Sequence, residues 1–162
     1  IIPHYESDPL YIEALVNSIN KKIKEINWKP DLIITSYHGI PKKYFDKGDP
    51  YHCYCHKTTR LISEKFTSIE IKTTFQSRFG PQEWLQPYTD KTLENLPKEG
   101  VKNVLTICPG FASDCVETLE EIQIQAKESF LNSGGENFDM VPCLNDNNDH
   151  ITLLKSLIER NT

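Results

Sequence analysis

Residues 31–41 read Asp31-Leu-Ile-Ile-Thr-Ser36-Tyr37-His38-Gly39-Ile-Pro41. The first six form a short apolar run of the kind found in a parallel strand buried on both faces, and Gly39 and Pro41 then force a loop. A strand covered above and below needs helices beside it, so the flanking segments decide the architecture. Upstream, Tyr11, Ile12, Leu15, Val16, Ile19, Ile23 and Ile26 recur at three- and four-residue intervals, which predicts an amphipathic helix from Asp8 to Ile26 opened by Asp8-Pro9. Downstream, helices are expected over about 51–66, 89–99, 114–132 and 150–160, and strands over about 69–75, 103–108 and 138–142. Pro109-Gly110 breaks the third strand and Gly134-Gly135 stops the fourth helix. This alternation predicts one α/β domain over residues 1–162, with a four-stranded parallel sheet flanked by helices.

Length and composition agree with a folded domain. A chain of 162 residues can bury about 68–70% of the surface its unfolded form exposes, so no metal or disulfide staple is needed. Eighteen Lys and Arg against 23 Asp and Glu give a net charge of −5, which argues against a nucleic-acid partner. No apolar stretch approaches the roughly 20 residues of a transmembrane segment, and no charged-then-apolar leader precedes Ile1. The chain opens Ile1-Ile2-Pro3 without Met, and is read as a processed chain or a piece of a longer one.

The five cysteines, Cys53, Cys55, Cys108, Cys115 and Cys143, are odd in number and scattered, which points to a reducing compartment. His52, Cys53, Cys55 and His56 crowd four metal-binding side chains into five residues. On a helix the two thiols fall on nearly opposite faces, and only His52 and His56, four apart, can share an ion. A structural metal and an iron–sulfur cluster are therefore not expected.

In a parallel α/β sheet, ligands bind outside the carboxyl ends of the strands, here the loops after Ser36, Phe75, Cys108 and Pro142. Neither Gly-x-Gly-x-x-Gly nor a Walker-type loop occurs, so the phosphate cradle of the nucleotide-binding members is missing. The first loop offers His38, whose neutral imidazole can serve as a metal ligand or as a base near pH 7. After the third strand, Glu117, Glu121 and Gln125 recur at four-residue steps and are expected to form a polar row on one helix face. Asp114 with Glu117 also fits a capping box, which accounts for Glu117 without any chemistry but not for the row that continues beyond it. The loop between the second strand and third helix is long and carries Arg78, a fork for carboxylates, and Trp84, a flat apolar face. Trp84 can equally serve to cover the sheet edge.

Taken together, these motifs form a recognisable series. Ser36-Tyr-His38-Gly-Ile-Pro41 is followed by Gly48-Asp49-Pro50-Tyr51, then Gln76-Ser-Arg-Phe-Gly80 with Trp84-Leu-Gln-Pro87-Tyr-Thr89. Cys108-Pro-Gly-Phe111-Ala-Ser-Asp114-Cys-Val-Glu117-Thr-Leu-Glu-Glu121 and Leu144-Asn145 complete it. In content and order this resembles the ferrochelatases, and most of all their bacterial protohaem branch. The resemblance implies a Rossmann-like chelatase half-domain corresponding to the C-terminal half of a two-domain enzyme of haem biosynthesis. It implies insertion of ferrous iron into protoporphyrin IX, with His38 and Glu117 as the catalytic and metal-site pair. Trp84, Arg78, Phe111, Ser113 and Asp114 would contact the porphyrin or surround the metal helix, and Glu121 would stand on a proton or metal path. Gln125 replaces a carboxylate found in some relatives. Iron is then a substrate, no tightly bound cofactor is expected, and the partners are porphyrin, Fe²⁺ and an N-terminal half of the same protein. A cytoplasmic location, free or peripheral to a membrane, follows from the same resemblance. The half alone is expected to have little activity. The competing reading is a non-catalytic tetrapyrrole- or metal-binding module, or a chelatase for another metal and tetrapyrrole.

Overall fold

The computed structural model describes residues 1–162. Helix α1 (Pro9–Glu25) is opened by Asp8, whose carboxylate accepts from the Leu10 amide at 3.0 Å, with Pro9 in the first turn. Strand β1 (Leu32–His38) follows, then a short helix α2 (Lys42–Asp46) that the apolar pattern did not announce, because none of its residues is buried. Helix α3 (Tyr51–Ser63), strand β2 (Glu70–Gln76) and helix α4 (Thr89–Asn95) come next. At Leu96–Glu99 the chain tightens into a 3₁₀ turn, consistent with Pro97, which has no amide hydrogen to donate. Strand β3 (Asn103–Ile107) leads to a helical segment in three parts, followed by strand β4 (Asn137–Met140) and helix α7 (Asn148–Asn161).

That three-part segment departs from the expected single helix over 114–132. It consists of α5 (Val116–Leu119), a π-helical stretch (Glu121–Ala126) and α6 (Lys127–Asn132). Within it the Gln125 amide reaches back five residues to the Glu120 carbonyl at 3.0 Å. The helix also begins later than expected. Cys115, not Asp114, is its cap, and the reciprocal bond comes from Thr118 rather than Glu117. Gly134, at φ 100°, turns the chain out of α6 in a conformation that suits glycine.

All four strands are parallel, in the order β2-β1-β3-β4. Because β2 lies on one side of β1 and β3 on the other, the connections diverge between β1 and β3, where such sheets open a ligand crevice. Side chains alternate along the strands as the pleat requires. Ile33, Leu105 and Ile107 face one layer, packed by Ile19, Ile62 and Leu153 from α1, α3 and α7. Leu32, Ile34 and Val104 face the other, packed by Leu93, Ile122 and Phe130. Full burial of each such side chain stabilises by about 1.5–3 kcal/mol. The two cores fix the sheet between its helices, and with it the positions of the strand ends.

Candidate active site

β1 runs two residues further than its apolar run, because Tyr37 and His38 continue the parallel ladder opposite Phe75 and Gln76. His38 is therefore the last residue of a central strand rather than part of a loop. Its Nδ1–H donates to the Gly39 carbonyl at 2.7 Å, which leaves the Nε2 lone pair free for a metal or a proton. Tyr51, the first residue of α3, donates its hydroxyl to the His38 carbonyl at 2.8 Å and holds the strand end from the other side.

Gln76, directly across the ladder from His38, is buried and saturated. Its Oε1 accepts from the Ser36 hydroxyl at 2.8 Å, and its Nε2 donates to the Glu117 carbonyl at 2.6 Å and to a Glu121 oxygen at 3.3 Å. Ser77 completes the clamp: its amide and hydroxyl donate to the two Glu121 oxygens at 2.6 and 2.5 Å. It does so at φ 63°, a left-handed conformation uncommon for a residue with a side chain. The end of β2 thus grips the broken helix at two of its carboxylate residues. Glu117 keeps its own carboxylate free of that grip. Its own backbone amide, then the Cys115 thiol, then the positive charge available on His38 hold its carboxyl below the usual range, against weak desolvation. His38 and the Glu117 main chain therefore both meet Gln76 at one end of the sheet.

Glu117, Glu121 and Gln125 line an open groove of about 560 Å³ together with Glu120 and Arg78. The three side chains share one groove, but the row runs from α5 into the π-helical stretch rather than along a regular α-helix face. His38 is not among its lining residues. Arg78 is already engaged at the groove: its guanidinium makes a two-pronged pair with Asp90, which also lines it, at 2.6 and 2.7 Å and lies over the Tyr88 ring at 4.3 Å. Burial works to raise the Asp90 carboxyl, and Arg78 outweighs it. The pair is exposed and adds little to stability.

Trp84 pairs with Pro41 across an isolated bridge, its indole N–H donating to the Phe79 carbonyl at 2.8 Å and its ring edge lying against Gly39. That places it on the rim beside His38. Phe111 stands on the third loop with its ring centroid 6.3 Å from that of His38, and also lines a separate aromatic cavity of about 380 Å³ with Tyr37 and Tyr51. Ser113 is exposed. Asp114 is turned inward to the β4–α7 loop, accepting from the Asn145 side chain at 2.8 Å, from the Cys143 amide at 3.2 Å and from Thr118 at 3.2 Å. Burial acts to raise its carboxyl, but these donors hold it low. Asp114 is thus the tether of the loop, with its acceptors spent on the protein. Reading residues one at a time missed Gln76 and Ser77; the usable signal was their place at the end of a strand, opposite a strand ending in His38.

All five cysteines are free; Cys55, Cys108 and Cys143 are buried, and burial raises each of these thiols. No group of three or more His, Cys, Asp and Glu gathers in a way that could hold an ion. Two side chains such as His38 and Glu117 are too few ligands to retain a transition metal permanently.

The four-stranded parallel sheet with its flanking helices is a chelatase-like α/β fold. A multi-domain protein of Deinococcus radiodurans, described as structurally similar to chelatases, superposes on 92% of this chain and 29% of its own with a TM-score of 0.60 at 10% identity. The ferrochelatase family model matches residues 1–162, and this chain belongs to the ferrochelatase family. It is 55% identical over 98% of its length to the ferrochelatases of Rhizobium meliloti and Allorhizobium ampelinum, and 52% identical to that of Brucella ovis. The chain spans 48%, 47% and 46% of those relatives, about half of their length.

Proposed function

We propose that this chain supplies the metal-side half of an enzyme that inserts Fe²⁺ into protoporphyrin IX to form protohaem, and that it corresponds to the C-terminal half. The other half of the same protein would complete the porphyrin cleft, so the 162 residues alone have little activity. One observation carries this reading. Gln76 pairs with His38 in the sheet and holds the Glu117 main chain, so two potential ligands from distant segments are fixed at one strand end.

Insertion leaves iron in the same oxidation state and releases two pyrrole protons, so it needs acceptors rather than an electron carrier. Iron enters as substrate, and no resident cofactor is required. With the Nδ1–H of His38 donated to the Gly39 carbonyl, Nε2 is the nitrogen left for a metal or a proton. Glu117, with its carboxyl held low, is ionised at neutral pH. A nitrogen and an oxygen ligand suit Fe²⁺ without completing its shell, so the ion can leave for the four macrocycle nitrogens. Trp84 and Phe111 supply flat apolar surface near His38, with Ser113 and Asp114 beside Phe111 in sequence. Arg78 can meet a propionate only by leaving Asp90, and Glu121 can serve a path only by exchanging its Ser77 bonds. The proposed location is the cytoplasm; no helix is long and apolar enough to cross a membrane.

Zinc-porphyrin formation followed by fluorescence tests the reading in the full-length protein. His38→Ala and Glu117→Gln should each lower the rate at least a hundredfold, with the melting temperature little changed. A rate that survives both substitutions excludes the pair as the active site. A 162-residue chain working at the full-length rate excludes the need for the other half.

A further inference from the structure

The histidine pair of α3 lies apart from the groove and takes no part in the chemistry above. The helix begins at Tyr51, so His52 and His56 are one turn apart on the same face, and their ring centroids stand 4.4 Å from each other. His52 is held in place by two aromatic neighbours. It stacks on Phe75 at 5.7 Å with 19° between the planes, and Phe45 of α2 approaches at 4.8 Å. Neither imidazole spends a nitrogen on a protein hydrogen bond. Burial lowers the basicity of both, and for His56 the neighbouring His52 adds to the effect. His56 is open to solvent and His52 half-open.

We propose that His52 and His56 form a two-imidazole chelate for a borderline divalent transition ion such as Zn²⁺ or Ni²⁺, separate from the His38–Glu117 pair. Imidazole nitrogens bind Zn²⁺ at about 2.0–2.1 Å, so two of them on one tetrahedral ion stand roughly 3.4 Å apart. Rings with centroids 4.4 Å apart reach that separation by small rotations. Both must be neutral to ligate, and their surroundings already favour the neutral form. Stacking on Phe75 and the tilted contact with Phe45 fix one of the two rings in advance, which reduces the rotamer entropy lost on binding. Water completes the coordination shell. Cys53, although exposed, lies about 100° around the helix from His52, too far to share its ion.

The test is a calorimetric titration of the full chain with Zn²⁺ alone, in a His38→Ala, Glu117→Gln background that silences the proposed active site. One equivalent should bind. His52→Asn and His56→Asn should each weaken it at least tenfold, and the double variant should lose little more than either single one, because removing one arm of a chelate removes the chelate. Cys53→Ser should change nothing. The proposal is overturned if no ion binds, if His56→Asn leaves binding intact, or if Cys53→Ser abolishes it. His56 is exposed, so His56→Asn keeps the test decisive even if His52→Asn fails to fold.

Discussion

The helical segments 9–25 and 116–132 are equal in length and both cover the sheet, yet they are built in opposite ways. The first is one unbroken α-helix, capped by Asp8, with Ile12, Leu15 and Ile19 sunk into the core. The second is cut into α, π and α parts, leaves Val116, Leu119 and Ile124 exposed, and keeps Glu117 and Glu121 at the strand ends. Their buried rows explain the contrast. Thr118, Ile122, Ala126 and Phe130 repeat strictly every four residues. In an α-helix of 3.6 residues per turn, a four-residue step drifts by about 40°, so this row would wind away from the sheet. The wider π turn keeps it facing inward, and with it keeps the polar row Glu117, Glu121 and Gln125 on the groove. One helix is shaped by packing alone, the other by packing and by where its carboxylates must stand.

This contrast can be broken deliberately. The largest effect is expected from Phe130→Ala, which empties a fully buried site under the broken helix and should cost about 3–5 kcal/mol in chemical denaturation. Ile19→Ala under α1 should cost a similar about 2–5 kcal/mol, but should leave zinc-porphyrin formation per folded molecule unchanged in the full-length enzyme. Equal losses of activity from both would erase the functional distinction drawn between the two helices. Next comes Gln76→Leu. It removes the clamp on Glu117 and Glu121 and leaves buried polar groups unpaired, worth about 1–3 kcal/mol. The activity should fall at least tenfold with KM for porphyrin little altered; an unchanged kcat would show that the clamp is only structural. Asp8→Ala should cost about 1 kcal/mol of helix capping, a few degrees in melting temperature, with full activity retained.

The smallest effect concerns pH. Asp114 has its carboxyl depressed in the folded state, so its contribution is fully present above the ordinary carboxylate range and is lost as pH falls through the depressed value. Asp114→Asn should therefore flatten the acid limb of the stability curve while leaving the neutral region with a lower plateau. Parallel curves for the two proteins down to strong acid would show that Asn145 and Cys143 do not favour the ionised form.

Much of this architecture was legible beforehand, for identifiable reasons. A strand buried on both faces must be an apolar run, so Leu32–Ile34 and Val104–Ile107 announced themselves, and α1 carried both a start signal and a sustained period. The alternation of strands and helices then dictated a parallel sheet. The π stretch escaped because four-residue spacing of Glu117, Glu121 and Gln125 fits an α-helix over so short a row. Only the longer buried repeat from Thr118 to Phe130 distinguishes the two. The capping role assigned to Asp114 moved to Cys115 because the carboxylate found better donors in a loop thirty residues away, which no local rule anticipates. His38 was marked by its place after a strand, whereas Gln76 became visible only through the register that sets it opposite His38.

Gly39 sets a dimension of the site. A Cβ there would stand 2.9 Å from the Gln76 carbonyl and 3.3 Å from the Trp84 ring. Its hydrogen is thus the spacer between the strand ends and the aromatic wall, and a single methyl group in its place would push that wall outward. The spacing between the end of β2 and the Trp84 ring is set by an atom the chain leaves out.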